Sequence, residues 1–336
     1  MTATDADPTQ SRPVLEVVAG VLEREDGQVL ITQRPPGKAY AGYWEFPGGK
    51  VEAGESPRAA LVRELAEELD IEVEVAHPWL RRRFDYPHAR VDLRFFRIPR
   101  WRGEPRGCEA QAVSWERVQA PTVAPMLPAN GPILAALALP TVYAITQATE
   151  LGVRAQLAQL DHALDAGLRL LQVREPGMVP ADLAAFGRRV LERAHARGAR
   201  VLINGDVRLA RDLGADGVHL KSAQLAGLDA RPDLPLVAAS CHDADELARA
   251  QALGCDFAVL GPVLPTRSHP GAPVLGWTAF AARVEPLELP VLALGGLVPA
   301  DLERARSHGA HGIAMQRAAW SGVDLLEDGS HPREGA

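Results

Sequence analysis

The 336-residue sequence predicts two domains, of mixed α+β and α/β class, the second a small (β/α)8 barrel, and three observations predict it. The length is about twice that of a common domain. The hydrophobic rhythm changes at Pro140. Beyond that proline, eight short apolar runs alternate with helical stretches, and eight parallel βα units are the number that closes a barrel.

Composition sets the outer limits. With 47% hydrophobic and 24% charged residues, the chain is able to bury a core rather than stay disordered. The net charge of −7 leaves no overall basic field to hold a nucleic acid backbone directly. Cys108, Cys241 and Cys255 form neither a metal-spaced pair nor a disulfide framework, which points to a reducing, cytoplasmic setting. Residues 1–12 are polar and lack the apolar core of a signal peptide. The longest apolar stretch, 132–145, is broken by Pro140 and is too short to span a membrane. Small molecules are the expected partners, and nothing in the sequence specifies an oligomeric state.

A flexible tail is expected over 1–13. Strands follow at 15–22 and 28–33, divided by the turn signal Glu25-Asp26-Gly27. A glycine-rich loop, Phe46-Pro47-Gly48-Gly49, precedes an amphipathic helix at 57–69. Ser56 is placed as its N-cap, and Pro57 takes the first helical position, where a missing N–H costs nothing. Strands at 80–86, 91–98 and 112–115 and a helix at 131–139 complete the first domain, 14–139. The second domain, 141–320, has strands at 142–146, 168–174, 200–204, 217–220, 236–241, 257–263, 290–296 and 312–316. Helical stretches at 181–196, 243–253 and 299–307 separate several of them. Residues 321–336 read as a second polar tail.

Glu64, Glu67 and Glu68 fall at i, i+3 and i+4, one stripe of the 57–69 helix, opposite Leu61, Val62, Leu65 and Leu69. A solvated acidic face is the plain reading of such a stripe. Like charges at this spacing repel by a few tenths of a kcal/mol, so grouping them needs a reason. The adjacent glycine-rich loop supplies backbone, and a candidate carbonyl ligand, beside the stripe. Oxygen donors without histidine or cysteine suit a hard cation, Mg2+ or Mn2+.

The stretch from Gly49 through Glu55, Arg63, Glu64, Leu65, Glu67, Glu68 and Asp70 to Ile71 resembles the Nudix box, G-x5-E-x7-R-E-U-x-E-E-x-G-U. Every specified position matches except the last glycine, here Asp70, a residue type that tolerates left-handed backbone. The resemblance implies a Nudix α/β/α sandwich that hydrolyses a nucleoside diphosphate linked to another moiety. It implies that Glu64, Glu67 and Glu68 hold the metal, with the Gly48 carbonyl as a further ligand. Glu64 or a neighbour would deprotonate water, and Arg63 would orient Glu55 and the glutamates.

Within the family the surroundings are similar to MutT-type enzymes, which remove 8-oxo-dGTP from the nucleotide pool. The carriers are Glu45-Phe46-Pro47-Gly48-Gly49-Lys50, the segment Trp101-Arg102-Gly103-Glu104-Pro105 with Glu109 after it, and Pro128-Ala129-Asn130. Glu109 would add a metal-side carboxylate. Asn130 would read the oxidised purine edge, since an amide offers both donor and acceptor. Its plain alternative is a turn residue before Gly131. Arg34 and Phe46 fall at positions lining the nucleotide pocket. The loop Pro87-His88-Ala89-Arg90 lacks the branch's arginine in register, with Arg90 one place on.

The second half, about 141–319, resembles thiamine monophosphate synthases and their TenI-type relatives, which are (β/α)8 TIM barrels. Its carriers are Tyr143–Thr146, Gln172-Val173-Arg174-Glu175, Gly214–Leu220, Gly261–Thr266 and Gly295-Gly296. The resemblance implies that Gln172, Arg174, Gly295 and Gly296 bind a phosphorylated small molecule. Four departures remove most of the clamp for a diphosphate and its Mg2+. Pro176 and His269 replace lysines, and Gly205 and Gln224 replace aspartates, so ordinary synthase activity is not expected. TenI-type relatives isomerise a thiazole carboxylate phosphate with a histidine after the fifth strand, where His242 stands. The alternatives for His242 are a helix N-terminal residue or a packed one. Cys241 and His219 read as buried and structural. Two further readings follow: a barrel that binds a ligand without turnover, or two halves that both serve thiamine metabolism.

Overall fold

The computed structural model describes residues 14–87, 89–266, 271 and 273–321, and the chain divides into two compact units, Met1–Ala138 and Leu139–Ala336. The tail expected at 1–13, all but Ser321 of the tail expected at 321–336, His88 and His269 lie outside the described residues.

In the first unit β1 (Val14–Leu22), β2 (Gln28–Gln33), β3 (Trp44–Glu45) and β4 (Gly48–Lys50) lead into α1 (Pro57–Leu69). Then come β5 (Glu72–Asp85), β6 (Arg90–Arg102), β7 (Val113–Arg117) and α2 (Gly131–Leu137). The strands form two sheets, β4-β1-β6-β5 and β3-β2-β7. β1 is central, parallel to β6 from Val14↔Arg90 to Leu22↔Ile98 and antiparallel to β4. Its alternating side chains feed two cores. Val18 and Leu22 pack with Leu61, Leu65 and Leu69 of α1, while Ala19 and Val21 pack with Ile133 and Ala136 of α2. This is the α/β/α sandwich. The Ser56 hydroxyl caps α1 by accepting from the Ala59 N–H at 3.2 Å.

Several boundaries differ from expectation. β5 begins at Glu72 rather than 80, β6 runs on to Arg102 rather than 98, β7 to Arg117 rather than 115, and α2 ends at Leu137 rather than 139. Pro78 hid the first half of β5, because an interior proline argues against a strand. β5 is an edge strand, and its pairing with β6 shifts register on both sides of Pro78.

The second unit begins with β8 (Val142–Ile145), α3 (Ala148–Leu151), α4 (Val153–Asp165), β9 (Leu170–Val173), α5 (Pro180–His195) and β10 (Arg200–Asn204). It continues with α6 (Val207–Leu213), β11 (Gly217–Leu220), α7 (Ser222–Leu225), β12 (Leu236–Cys241), α8 (Ala244–Leu253) and β13 (Phe257–Leu260). α9 (Gly276–Val284), β14 (Val291–Leu294), α10 (Leu302–Ser307) and β15 (Gly312–Met315) complete it. The eight strands close in chain order, all parallel, with β15 returning to β8 through Ile313↔Val142. Tyr143, Leu170, Leu202, Phe257 and Leu292 fill the interior. The helix expected at 299–307 starts as a 3-10 turn, Pro299–Asp301. Several strands stop short of their expected ends, so Arg174, Gly261 and Gly295 lie past the ladders at the rim.

Candidate functional site

In the first unit α1 and the loop before it bring the box together. Arg63 is the hub. Its Nε and Nη2 donate to the two Glu55 oxygens at 3.1 and 3.0 Å. Nη1 donates to Glu64 Oε1 at 2.9 Å and Glu67 Oε2 at 3.3 Å, and Nη2 also reaches the Lys50 carbonyl at 3.1 Å. A Cβ at Gly49 would lie 2.2 Å from the Glu64 carboxyl, so a side chain there would displace that carboxyl from its place beside Arg63. The Gly48 N–H donates to Glu68 Oε2 at 3.1 Å.

Glu109 arrives from the other end of the helix. The last carbonyls of α1 have no partner inside it. They accept instead from the N–H groups of Arg106 (Leu69 O, 3.1 Å) and Cys108 (Glu68 O, 2.9 Å), and from Gln111 Nε2 (Glu68 O, 2.9 Å). That docking carries Glu109 toward Glu68. Burial, together with the charges of Glu45 and Glu109, raises the Glu68 carboxyl to about 7 against the help of the Gly48 N–H. Lys38 Nζ donates to Glu109 Oε2 at 3.0 Å and faces the Glu68 charge, an ammonium standing among carboxylates.

Among the described residues, no three acidic, His or Cys groups are already drawn into a metal-sized cluster. Glu64 is turned to Arg63, Glu68 to Gly48, and the Glu67 side chain is 58% exposed. The donor set nonetheless fits a divalent cation: every group is a hard oxygen ligand, and Glu68 faces the charges of Glu45 and Glu109 beside that of Lys38.

The residues expected to meet the nucleotide are placed unevenly. Arg34 Nη1 contacts both Glu45 oxygens at 2.7 Å and its Nε donates to the Ala39 carbonyl. Phe46 is buried edge-to-face against Phe95, in the α2-side core. Asn130 is 3% exposed, its side chain caps nothing, and among the described residues that side chain has one hydrogen bond, a 3.9 Å contact from Nδ2 to Met126 Sδ.

In the second unit the mouth of the barrel encloses a cavity of 790 Å³ lined by Gln172, Arg174, His242, Gly295 and Gly296 together with Lys221, among others. Gln172 joins a buried chain of hydrogen bonds across five strands. Its Oε1 accepts from Asn204 Nδ2 at 3.0 Å and its Nε2 donates to the Tyr143 hydroxyl at 3.1 Å. The hydroxyl then has its one proton for His219 Nδ1 at 3.1 Å, which leaves Nε2–H of His219 facing Ser240 Oγ at 2.8 Å. Burial, aided by the Arg174 charge, pushes His219 down to about 3, so it stays neutral. Cys241 is fully buried, and burial pushes its thiol up to about 12, the state of a packed residue. Glu175 accepts from the N–H groups of Ala148 and Thr149, at 2.7 Å each, and so closes the start of α3.

His242 is held differently. Its Nδ1 lies 2.9 Å from the Gly261 carbonyl, which can only accept, so in the neutral ring Nε2 carries the lone pair. Gly295 and Gly296 adopt φ of 116° and 65°, and a Cβ at either would meet the backbone of Pro262 or Pro265 within 2.7 Å. Only glycine fits there, which leaves bare backbone at the rim.

Sequence reasoning missed Lys221, Lys38 and the Tyr143–His219–Ser240 chain. Its motif positions did not include Lys221. The available signal was a lysine directly after the His219 strand, in a loop stripped of its expected aspartates.

Comparison with known proteins divides the chain at the same place. Residues 18–136 match the family model described as NUDIX domain, and residues 142–319 match Thiamine monophosphate synthase. The first part is 39% identical to 8-oxo-dGTP diphosphatase of Haemophilus influenzae, over 37% of this chain and 90% of that protein. It is 41% identical to CTP pyrophosphohydrolase of Escherichia coli, again over 37% of this chain and 90% of that protein. The second part is 38% identical to a putative thiamine-phosphate synthase of Geobacter sulfurreducens, over 56% of this chain and 90% of that protein.

Proposed function

We propose, for a chain that belongs to the NUDIX domain family over residues 18–136 and to the thiamine monophosphate synthase family over residues 142–319, that its Nudix hydrolase unit cleaves 8-oxo-dGTP to 8-oxo-dGMP and pyrophosphate. The observation that carries the chemistry is the Arg63-centred set of glutamates beside the half-buried Glu68. Glu64, Glu67 and Glu68 would hold Mg2+ or Mn2+, with Glu109 and the Gly48 carbonyl beside them. Bound there, the cation supplies charge neutralisation on the phosphates and a more acidic water. Arg63 keeps Glu55 and Glu64 aimed, and Glu64 or a neighbouring carboxylate would take the proton from water.

Base choice rests on Asn130. A buried side-chain amide whose one hydrogen bond among the described residues is a long one to a thioether keeps donor and acceptor available for a purine edge. The 41% identity to a CTP pyrophosphohydrolase favours a second reading, a pyrimidine triphosphate. In the barrel, Gln172, Arg174 and the Gly295–Gly296 backbone would hold a phosphorylated small molecule, with His242 Nε2 available as a base. A cavity with no carboxylate among its described lining residues does not suit a diphosphate carried by Mg2+, which supports the absence of ordinary synthase activity.

Pyrophosphate release with Mg2+ from 8-oxo-dGTP, dGTP, CTP and thiamine diphosphate, with Glu67→Gln as control, tests the reading. A preference for 8-oxo-dGTP that the variant abolishes is expected. A preference for CTP would move the substrate to the second reading, and turnover of thiamine diphosphate alone would overturn both.

A further inference from the structure

The stretch 34–43, between β2 and β3, is a loop closed at its neck. The Arg34 N–H donates to the Tyr43 carbonyl at 2.8 Å and the Gly42 N–H to the Arg34 carbonyl at 2.9 Å. Gln33 Nε2 adds a bond to the Gly42 carbonyl at 3.0 Å. Inside the loop the Tyr40 ring packs edge-on against Tyr43 and Tyr86, with centroids 5.2 and 5.5 Å apart. Close ends and internal side-chain packing mark the compact kind of surface loop that often carries function.

Lys38 stands in this loop and reaches away from it to Glu109. The pair is half-exposed, 49% on the lysine side and 46% on the glutamate side. An ion pair so open to water adds little stability and exchanges readily. Its position is nonetheless particular. The Lys38 charge acts on Glu45 and Glu68 as well as on Glu109, so the ammonium sits at the carboxylates that would receive the cation. An ammonium has three donors, and Lys38 Nζ has one acceptor, Glu109 Oε2, among the described residues.

A lysine and a divalent cation do not share Glu109 without repelling each other. We infer that Lys38 stands in for that cation: it holds Glu109 while the site is metal-free, yields it when the cation binds, and then turns its donors to the substrate's phosphates. This rests on the metal and nucleotide reading of the first unit given above. The Arg34 and Gln33 bonds at the neck keep the displaced ammonium beside the site, where the anion brought in with the cation becomes its partner. Loss of Lys38 then has opposite effects on two ligands, favouring the cation and disfavouring the nucleotide. Loss of a plain surface pair would do neither.

Two titrations of the full chain test this: Mn2+ alone, followed by the paramagnetic resonance of the free ion, and α,β-methylene-bridged dGTP or CTP at saturating Mn2+. In Lys38→Met, Mn2+ is expected to bind about threefold tighter and the better nucleotide analogue about tenfold weaker. Lys38→Arg, which keeps the charge, is expected to stay close to the unaltered chain in both. Most of the gain in Mn2+ affinity is expected to vanish when Glu109→Gln is already in place. Unchanged or weaker Mn2+ binding in Lys38→Met, or unchanged nucleotide affinity, would overturn the exchange assigned to Lys38. Mn2+ binding that Glu67→Gln leaves untouched would instead overturn the metal reading. Binding of neither analogue to the unaltered chain would overturn the nucleotide reading and, with it, the second role of Lys38.

Discussion

In the candidate site of the first unit, Glu68 stands in surroundings that oppose its charge. Burial raises it to about 7, with Glu45 and Glu109 adding to the rise and only the Gly48 N–H and Lys38 opposing it. The linkage has a definite sign. A carboxyl raised on folding binds more protons than the unfolded chain between the ordinary carboxylate range and about 7, so metal-free stability falls as pH rises through that window. A divalent cation reverses this, since it binds the ionised form and must displace the proton. Mg2+ is therefore expected to raise the unfolding temperature more at pH 8 than at pH 6, with proton release at pH 6 measurable by titration in two buffers. Glu68→Gln removes the difference. A Mg2+ shift independent of pH would show that Glu68 is not part of the cation site.

At the scale of one element, α1 shows how closely a helix follows its punctuation. Its limits, Pro57–Leu69, are those expected from Ser56, Pro57 and the residue after Leu69. That residue, Asp70, has φ 57° and ψ 44°, the left-handed cap that the resembling pattern fills with glycine. Its pair with Arg106 is exposed on both sides and contributes little. Asp70→Gly is thus expected to change stability by no more than about 1 kcal/mol, while Asp70→Val, β-branched at positive φ, loses about 1–2 kcal/mol. Urea denaturation of the first unit's fluorescence measures both, and equal stability of Gly and Val variants would refute the cap. Elsewhere legibility depended on length. β3 and β4, of two and three residues, are too short to carry a period and exist because β2 and β1 pair with them. The site was legible where spacing on one helix placed it, as with Glu64, Glu67 and Glu68. It was not legible where separate strands meet, as with Lys221, whose stem lies over Gly205, because no local pattern records which strand ends are neighbours in a closed barrel.

Across the whole chain the two candidate sites have opposite electrostatics, carboxylates in the first unit and, in the second, a cavity whose described lining carries cations and no carboxylate. Each ligand stabilises only the state that binds it, by about 2.7 kcal/mol at a hundredfold excess over Kd, and slows amide exchange where it is held. Mg2+ is therefore expected to protect 46–50, 57–69 and 106–111, the loop, the helix and the segment docked on its end. Inorganic phosphate is expected to protect 294–297. Hydrogen exchange read by mass spectrometry resolves these segments in one sample, with Glu67→Gln removing the Mg2+ effect alone. Protection of the barrel segments by Mg2+ would mean that the lost aspartates had not removed its metal site. Protection of the Nudix helix by phosphate in EDTA would mean that Arg63 and Lys38, not a cation, receive the substrate's phosphates.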